Sequence, residues 1–324
     1  IKNKLIMKFN DDIKLILSDV DETIAAVYTE ASEGMIIELE KLLKEGRIIF
    51  MITGHGLKGV QKRITDKIDK SLRKGVLIAH CSGTEVQGFD PNGELHDEPY
   101  YDKYEKIFSE AQKKQWRKII KQLISEFGLK VYPTMTKPVF REKSKLKPLS
   151  IMLDDRGPQI TFEVVNATDL SEEQAEGLGM QIPKTNGQLD LRALISKRAD
   201  ELFTENNIPV SARLAGTFAI DFAIKGVSKK TAVKHIIHDE AILSMLGLPK
   251  DILKHPNYLE AWGDKFSVIR GGTDRHISEA LPKEVRSITF RDESPDEFLK
   301  GYNTVVWDGK RNLHHGLLEF LKNR

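Results

Sequence analysis

The chain is almost without cysteine: Cys81 is the only one in 324 residues. An internal disulfide is therefore excluded, and a reducing, cytoplasmic setting is expected. Long apolar runs are missing too. Stretches such as Ile48-Ile49-Phe50-Met51-Ile52 fall far short of the roughly 20 residues that a helix needs to cross a bilayer. Nor is there an excess of charge of one sign: 50 Lys and Arg against 48 Asp and Glu leave a net charge of +2. A small net charge provides no global field for nucleic acid or an anionic membrane, so the expected partner is a small molecule. Residues 1–10 show no apolar segment followed by a small-residue cleavage site, so no signal peptide is read there. The start at Ile1 is read as lying inside a longer encoded chain or in an appended segment. Repeats, low-complexity tracts and floppy Gly/Ser linkers are also missing.

What is present is a globular composition, 40% hydrophobic and 30% charged, in a length suited to two domains. The first 88 residues alternate between strand and helix. Strands are predicted at Lys14–Ser18, Arg47–Ile52 and Val76–Ala79, and helices at Met35–Lys44 and about Leu57–Leu72. Short joins between such elements indicate a parallel sheet covered on both faces, with ligands held beyond the carboxyl ends of the strands.

The pattern changes after Glu85. Asp90-Pro91-Asn92-Gly93 is a turn signal, followed by one long predicted helix, Tyr104–Glu126. Short strands are expected at Leu149–Leu153, Ile160–Val165 and Thr217–Ile224, with a hairpin-like turn at Asp154–Pro158. Alternation returns from Val227, with a helix from Lys229 to about Leu246 and strands at Leu259–Gly263, Val285–Phe290 and Thr304–Trp307. The expected architecture is α/β: a Rossmann-like, doubly wound parallel-sheet core of residues 1–88 and 226–324, with residues 89–225 as an inserted α+β cap.

The chemistry is concentrated at the predicted end of the first strand. There, Ile16-Leu17 runs into Ser18-Asp19-Val20-Asp21-Glu22-Thr23. Two carboxylates at the end of a buried strand are costly to desolvate, which points to a cation and a reacting group. An Asp-x-Asp-x-Thr alone also occurs as a turn or a helix cap. Three further segments fall at strand ends: Thr53-Gly54-His55, Gly226-Val227-Ser228-Lys229, and Gly263-Asp264-Lys265 with Gly271-Gly272-Thr273-Asp274.

In order and chemistry these four segments resemble the motifs of the haloacid dehalogenase-like (HAD) hydrolase superfamily. The insert between the second and third motifs resembles the type IIB, or C2-capped, branch. That branch includes Cof-type sugar phosphatases, sucrose and trehalose phosphate phosphatases, and eukaryotic-type phosphomannomutases. The last segment, with Gly271-Gly272-Thr273-Asp274, is closest to the phosphomannomutase form.

The resemblance implies Asp19 as the nucleophile that forms an aspartyl phosphate and Asp21 as the acid and then the base. It implies Mg²⁺ held by Asp19, the backbone carbonyl of Asp21, Asp264 and Asp274. Thr53, Gly54 and Lys229 are the implied phosphate ligands, Lys229 also neutralising Asp19. The expected activity is Mg²⁺-dependent hydrolysis of a small phosphorylated metabolite, a sugar phosphate, by a monomer or homodimer. A sugar phosphomutase is the alternative, supported by the last motif. The segment Ile24–Glu30 argues against it, because it lacks the arginine usual there in phosphomannomutases. A catalytically silent binding or regulatory protein is the third reading, opposed by the intact Asp19 and Asp21.

Several residues are given plainer expectations. Asp274 is either a metal ligand or a cap of the next helix. His55 is read as a rim residue, and Glu22 stands where glycine is common. His235 and His238 are read as the wet face of a helix, Cys81 as a buried small residue, His314-His315 as unassigned, and Lys143–Lys147 as a solvated loop. In the insert, Arg141, Arg156, Lys184, Arg192 and Arg213 are the polar candidates for substrate contact. Arg141, in Val139-Phe140-Arg141, faintly resembles a substrate-binding arginine of phosphomannomutases.

Overall fold

A computed structural model describes residues 7–185, 187–216 and 218–324. The sequence readings at residues 1–6 and at Thr217 lie outside the described residues. The chain divides into two compact units, residues 1–102 with 227–324 and residues 103–226.

In the first unit, β1 (Leu15–Asp19), β2 (Ile48–Ile52) and β3 (Val76–His80) are buried at every residue. Strands apolar on both sides must be covered on both sides, and they pair in parallel: β1 with β2, and β2 with β3. Two short antiparallel strands, β4 (Glu85–Gly88) and β5 (Tyr101–Asp102), extend this edge.

The second unit then contributes β6 (Lys130–Tyr132), β7 (Ser150–Asp155), β8 (Gln159–Glu163), β9 (Lys184–Thr185), β10 (Gln188–Leu189), β11 (Val210–Ala215) and β12 (Ala219–Ile224). The chain returns to the first unit with β13 (Leu259–Gly263), β14 (Arg286–Thr289) and β15 (Thr304–Val306). The core sheet runs β15-β14-β13-β1-β2-β3-β4-β5. Order therefore reverses beside β1, which puts the β1–β13 strand ends where open α/β sheets form their ligand crevice.

Alternation along the strands sorts the side chains into two layers. Ile16, Ile49, Met51, Ile78, Trp262 and Ile288 share one apolar cluster with the helices Glu33–Lys44 and Leu313–Lys322. Leu15, Leu17, Phe50, Leu77 and Ala261 share the other with the helix Lys229–His238. Ser32 starts the Glu33–Lys44 helix, its hydroxyl accepting from the Met35 amide at 3.2 Å.

The second unit has a five-stranded sheet, β11-β12-β8-β7-β6, antiparallel except for β6 with β7. Phe162 and Phe222 pack edge to face with ring centres 4.9 Å apart, and Phe203 lies 6.0 Å from Phe222. Helices Glu110–Glu126 and Leu191–Glu205 bury Trp116, Ile119, Leu123, Ile195, Leu202 and Phe203.

Several expected elements differ in extent. The join to the inserted unit falls at 102/103 rather than 88/89, because β5 pairs with β4 through Val86 opposite Tyr101. The long helix expected at 104–126 is interrupted: Ser109 and Gln112 form a reciprocal capping box, starting a new helix at Glu110. The helix expected at 57–72 ends at Arg63, where Ile64 leaves helical geometry and two short 3₁₀ turns follow. Asp239 likewise splits the helix from Lys229 by accepting from the Ala241 and Ile242 amides. Strands β4, β5, β6, β9, β10 and β11 are not among the expected elements.

Candidate active site

Asp19 is the last residue of β1 and Asp264 directly follows β13, its neighbour in the sheet. Adjacent parallel strands thus deliver two carboxylates to one edge. Asp274 joins them from the loop beyond, and one oxygen from each of the three lies within 4.8 Å of the others. All three are buried.

Lys229, at the first turn of its helix, lies among them. Its Nζ donates to Asp19 Oδ1 at 2.5 Å and to Asp274 Oδ1 at 2.7 Å. Gly83 lets that helix approach, since a Cβ there would sit 2.6 Å from the Ser228 carbonyl oxygen. Gly263 serves Asp274 in the same way: a Cβ would come within 2.5 Å of Asp274 Oδ2. That oxygen accepts from the Asp264 and Lys265 amides at 2.9 and 3.0 Å. Asp274 begins the helical turn Arg275–Ser278 without capping it through its side chain. Of its two expected roles, capping is thereby removed.

The electrostatics describe a cluster short of positive charge. Burial, reinforced by Asp274, pushes the Asp19 carboxyl well above the ordinary aspartate range against the pull of Lys229. Burial and Asp274 push Asp264 up to about 6, despite Lys265 and Arg291. Burial by itself lowers Lys229, but Asp19 and Asp274 outweigh it and hold the ammonium above its usual range.

The group of residues fits a divalent cation. Asp264 Oδ2 is engaged by Arg291 at 2.5 and 3.1 Å, whereas Asp264 Oδ1 is buried with no hydrogen-bond partner among the described residues. An all-oxygen donor set with an orphaned carboxylate oxygen suits a hard ion such as Mg²⁺.

The Asp21 carboxylate turns elsewhere. Its Oδ2 accepts from Thr53 Oγ1 at 3.2 Å and lies 3.3 Å from His55 Nε2, and its Oδ1 accepts from Arg63 Nη2 at 2.9 Å. Its side chain is thus not among the three gathered carboxylates. Thr53 is fully buried, and its hydroxyl also accepts from the His55 amide at 3.1 Å. Gly54 lies between them. His55 is not a rim residue: it is 8% exposed and packs edge-on to Tyr28 with ring centres 4.9 Å apart.

Glu22 occupies the left-handed region at φ 63°, and its Oε2 lies 3.8 Å from His314 Nδ1. The sequence reading missed Arg63, Arg291 and Glu293. Glu293 accepts from the Phe266 and Ser267 amides at 3.0 Å each and so fixes the loop that follows Asp264. A motif spacing carries no signal for them.

In the inserted unit, Arg141 is half-exposed and lies 3.7 Å from Asp169. Lys184 pairs with Glu172 at 2.6 Å, and Arg192 with Asp190, which caps its own helix. Those local roles account for both. Arg213 stands opposite Asp221, and Asp221 opposite Thr161, on one face of the sheet. Arg156 donates to Asp154 at 2.7 Å. His235 and His238 are exposed and Cys81 is buried.

A doubly wound sheet carrying this edge of carboxylates, with an α+β insertion, has the fold of the haloacid dehalogenase-like hydrolases. Among solved structures, the trehalose-6-phosphate phosphatase C-terminal domain of C. albicans shares it at 13% identity, over 96% of this chain and 92% of that one, with a TM-score of 0.57. A haloacid dehalogenase-like hydrolase from Bacteroides thetaiotaomicron matches at 13% identity, over 96% and 99% of the two chains, with a TM-score of 0.51. The IMP-bound Plasmodium falciparum IMP-nucleotidase matches at 12% identity, over 96% and 68%, with a TM-score of 0.49. No protein-family model and no curated protein sequence matches the chain. No helix among the described residues is long and apolar enough to cross a membrane.

Proposed function

We propose that this protein is a Mg²⁺-dependent phosphatase that hydrolyses a small phosphorylated metabolite, a sugar phosphate, through an aspartyl phosphate on Asp19. The observation that carries this reading is the buried triad Asp19, Asp264 and Asp274 with Lys229 bridging two of its members. Charge supports it: three buried carboxylates surround the Lys229 ammonium, so a divalent cation would offset the remaining negative charge before a phosphate dianion enters. A trehalose-6-phosphate phosphatase domain with the same fold supports a phosphorylated sugar.

Asp19 attacks phosphorus as the bond to the ester oxygen breaks, and that oxygen takes a proton from Asp21. Asp21 then accepts a proton from water, whose oxygen attacks the aspartyl phosphate and releases Asp19 and inorganic phosphate. Lys229 neutralises Asp19 and the phosphoryl oxygens, while Thr53 and the Gly54 backbone hold the phosphate. Asp19, Asp264, Asp274 and the Asp21 carbonyl would hold Mg²⁺, which supplies charge neutralisation for the equatorial oxygens. The inserted unit is read as the cap that selects the leaving group, with Arg141 as a contact.

Phosphate release across a panel of phosphorylated metabolites, with Mg²⁺ and after chelation, tests the reading. Chelator-sensitive release is expected, and no release from any compound would refute it. The phosphomutase reading keeps one specific support, the Gly271-Gly272-Thr273-Asp274 form of the last motif. It predicts interconversion of sugar 1- and 6-phosphates without phosphate release.

A further inference from the structure

Arg63 ends the short helix Leu57–Arg63, and its side chain is 8% exposed. From there it reaches back 42 positions to Asp21, donating from Nη2 to Oδ1 at 2.9 Å. Nη2 also donates to the Ala26 carbonyl at 2.9 Å, and Nε to the Thr29 carbonyl at 2.7 Å. The Arg63 carbonyl accepts from the Ala31 amide at 3.0 Å. One residue therefore grips both the carboxylate and the segment that follows it.

The two oxygens of Asp21 are consequently unlike. Oδ1 accepts one N–H of a planar, permanently charged guanidinium, whereas Oδ2 accepts from the Thr53 hydroxyl and lies beside the His55 imidazole. A carboxylate held at one oxygen loses its freedom to rotate about its last bond. Proton delivery to a leaving oxygen depends on such fixed geometry.

We propose that Arg63 is a positioning residue for proton transfer at Asp21: it pins Oδ1, leaves Oδ2 as the oxygen that carries the proton, and locks residues 26–31 to the same anchor. The assignment rests on the phosphatase reading above, and Arg63 itself gains and loses no proton.

The test compares two esters on the full chain with Mg²⁺. An alkyl phosphate needs a proton on its leaving oxygen, whereas dinitrophenyl phosphate, with a stable phenolate leaving group, does not. Values of kcat/KM are measured for wild type, Arg63→Met and Arg63→Lys, and hydrogen exchange of residues 26–31 is followed in metal-free protein. General acid catalysis contributes about 10²–10⁴-fold. Arg63→Met should therefore lose about 10²-fold or more on the alkyl ester and only a few-fold on the aryl ester, with faster exchange at residues 26–31. Arg63→Lys should recover about tenfold on the alkyl ester, since a point charge replaces part of the fork. If Arg63→Met does not fold, the same ester ratio read on Arg63→Lys decides. An active wild type whose variants lose equally on both esters, or lose nothing, overturns the Arg63 assignment alone. The alkyl ester is the panel compound hydrolysed fastest, so a wild type inactive on the aryl ester and across the whole panel overturns the phosphatase reading and the assignment with it.

Discussion

Replacing Lys229 by methionine removes an ammonium that touches two buried carboxylates, Asp19 at 2.5 Å and Asp274 at 2.7 Å. Methionine keeps most of the volume, so the change is chiefly electrostatic. Breaking a buried ion pair by deleting one partner costs about 3–5 kcal/mol, because the other partner stays buried without its charge. For a core unit of about 200 residues, each kcal/mol moves Tm by about 2–4 °C, so metal-free Lys229→Met should melt about 6–20 °C below wild type. Protonation of the stranded carboxylates places the result toward the lower end. Asp19→Asn removes one of the stranded charges, so Lys229→Met/Asp19→Asn should be more stable than Lys229→Met alone. Added Mg²⁺ should restore stability to Lys229→Met, because the same carboxylates would hold the cation. The assay is thermal and denaturant unfolding in chelator, then with Mg²⁺ titrated in. A Lys229→Met protein within about 1 kcal/mol of wild type, or a double variant whose losses simply add, would refute the reasoning.

Further expectations follow from individual contacts. Asp264→Asn, which alters the residue bearing the orphaned oxygen, should weaken Mg²⁺ binding more than tenfold by calorimetry. Gly263→Ala should abolish activity while the protein stays folded, because its methyl group would lie 2.5 Å from Asp274 Oδ2. Full activity would show that Asp274 can shift freely. Trp116→Ala in the inserted unit should cost about 3–5 kcal/mol, read as faster proteolysis between residues 103 and 226. Glu260 is buried between Arg286 and Trp262, and burial raises its carboxyl above the ordinary glutamate range. A raised carboxyl favours folding below its unfolded pKa and loses that contribution as pH rises through the folded one. The stability advantage of wild type over Glu260→Gln should therefore shrink as pH rises above about 4.

The sequence was legible where the signal is local. The buried strands and the order of Asp19, Thr53, Lys229 and Asp264 follow from runs and motifs, and the sheet brings Asp19, Lys229 and Asp264 together. What escaped it depends on approach in three dimensions. Arg63 ends a short helix with no motif of its own, and only folding brings its guanidinium to Asp21. Arg291 and Glu293 follow the expected strand Val285–Phe290 but belong to no motif, yet one holds Asp264 and the other the loop beside it. His55 seemed peripheral because a motif position carries no information on burial. The two residues of β5 were too few to show periodicity, so the boundary at Asp102 was read 14 residues early.

Formation of a covalent intermediate at Asp19 is the step that defines the proposed reaction. Incubation with an aryl phosphate and Mg²⁺, quenching in acid and peptide mapping should find the phosphoryl group on Asp19 in wild type and nowhere in Asp19→Asn. Turnover that persists in Asp19→Asn, or a phosphoryl group on another residue, would contradict it.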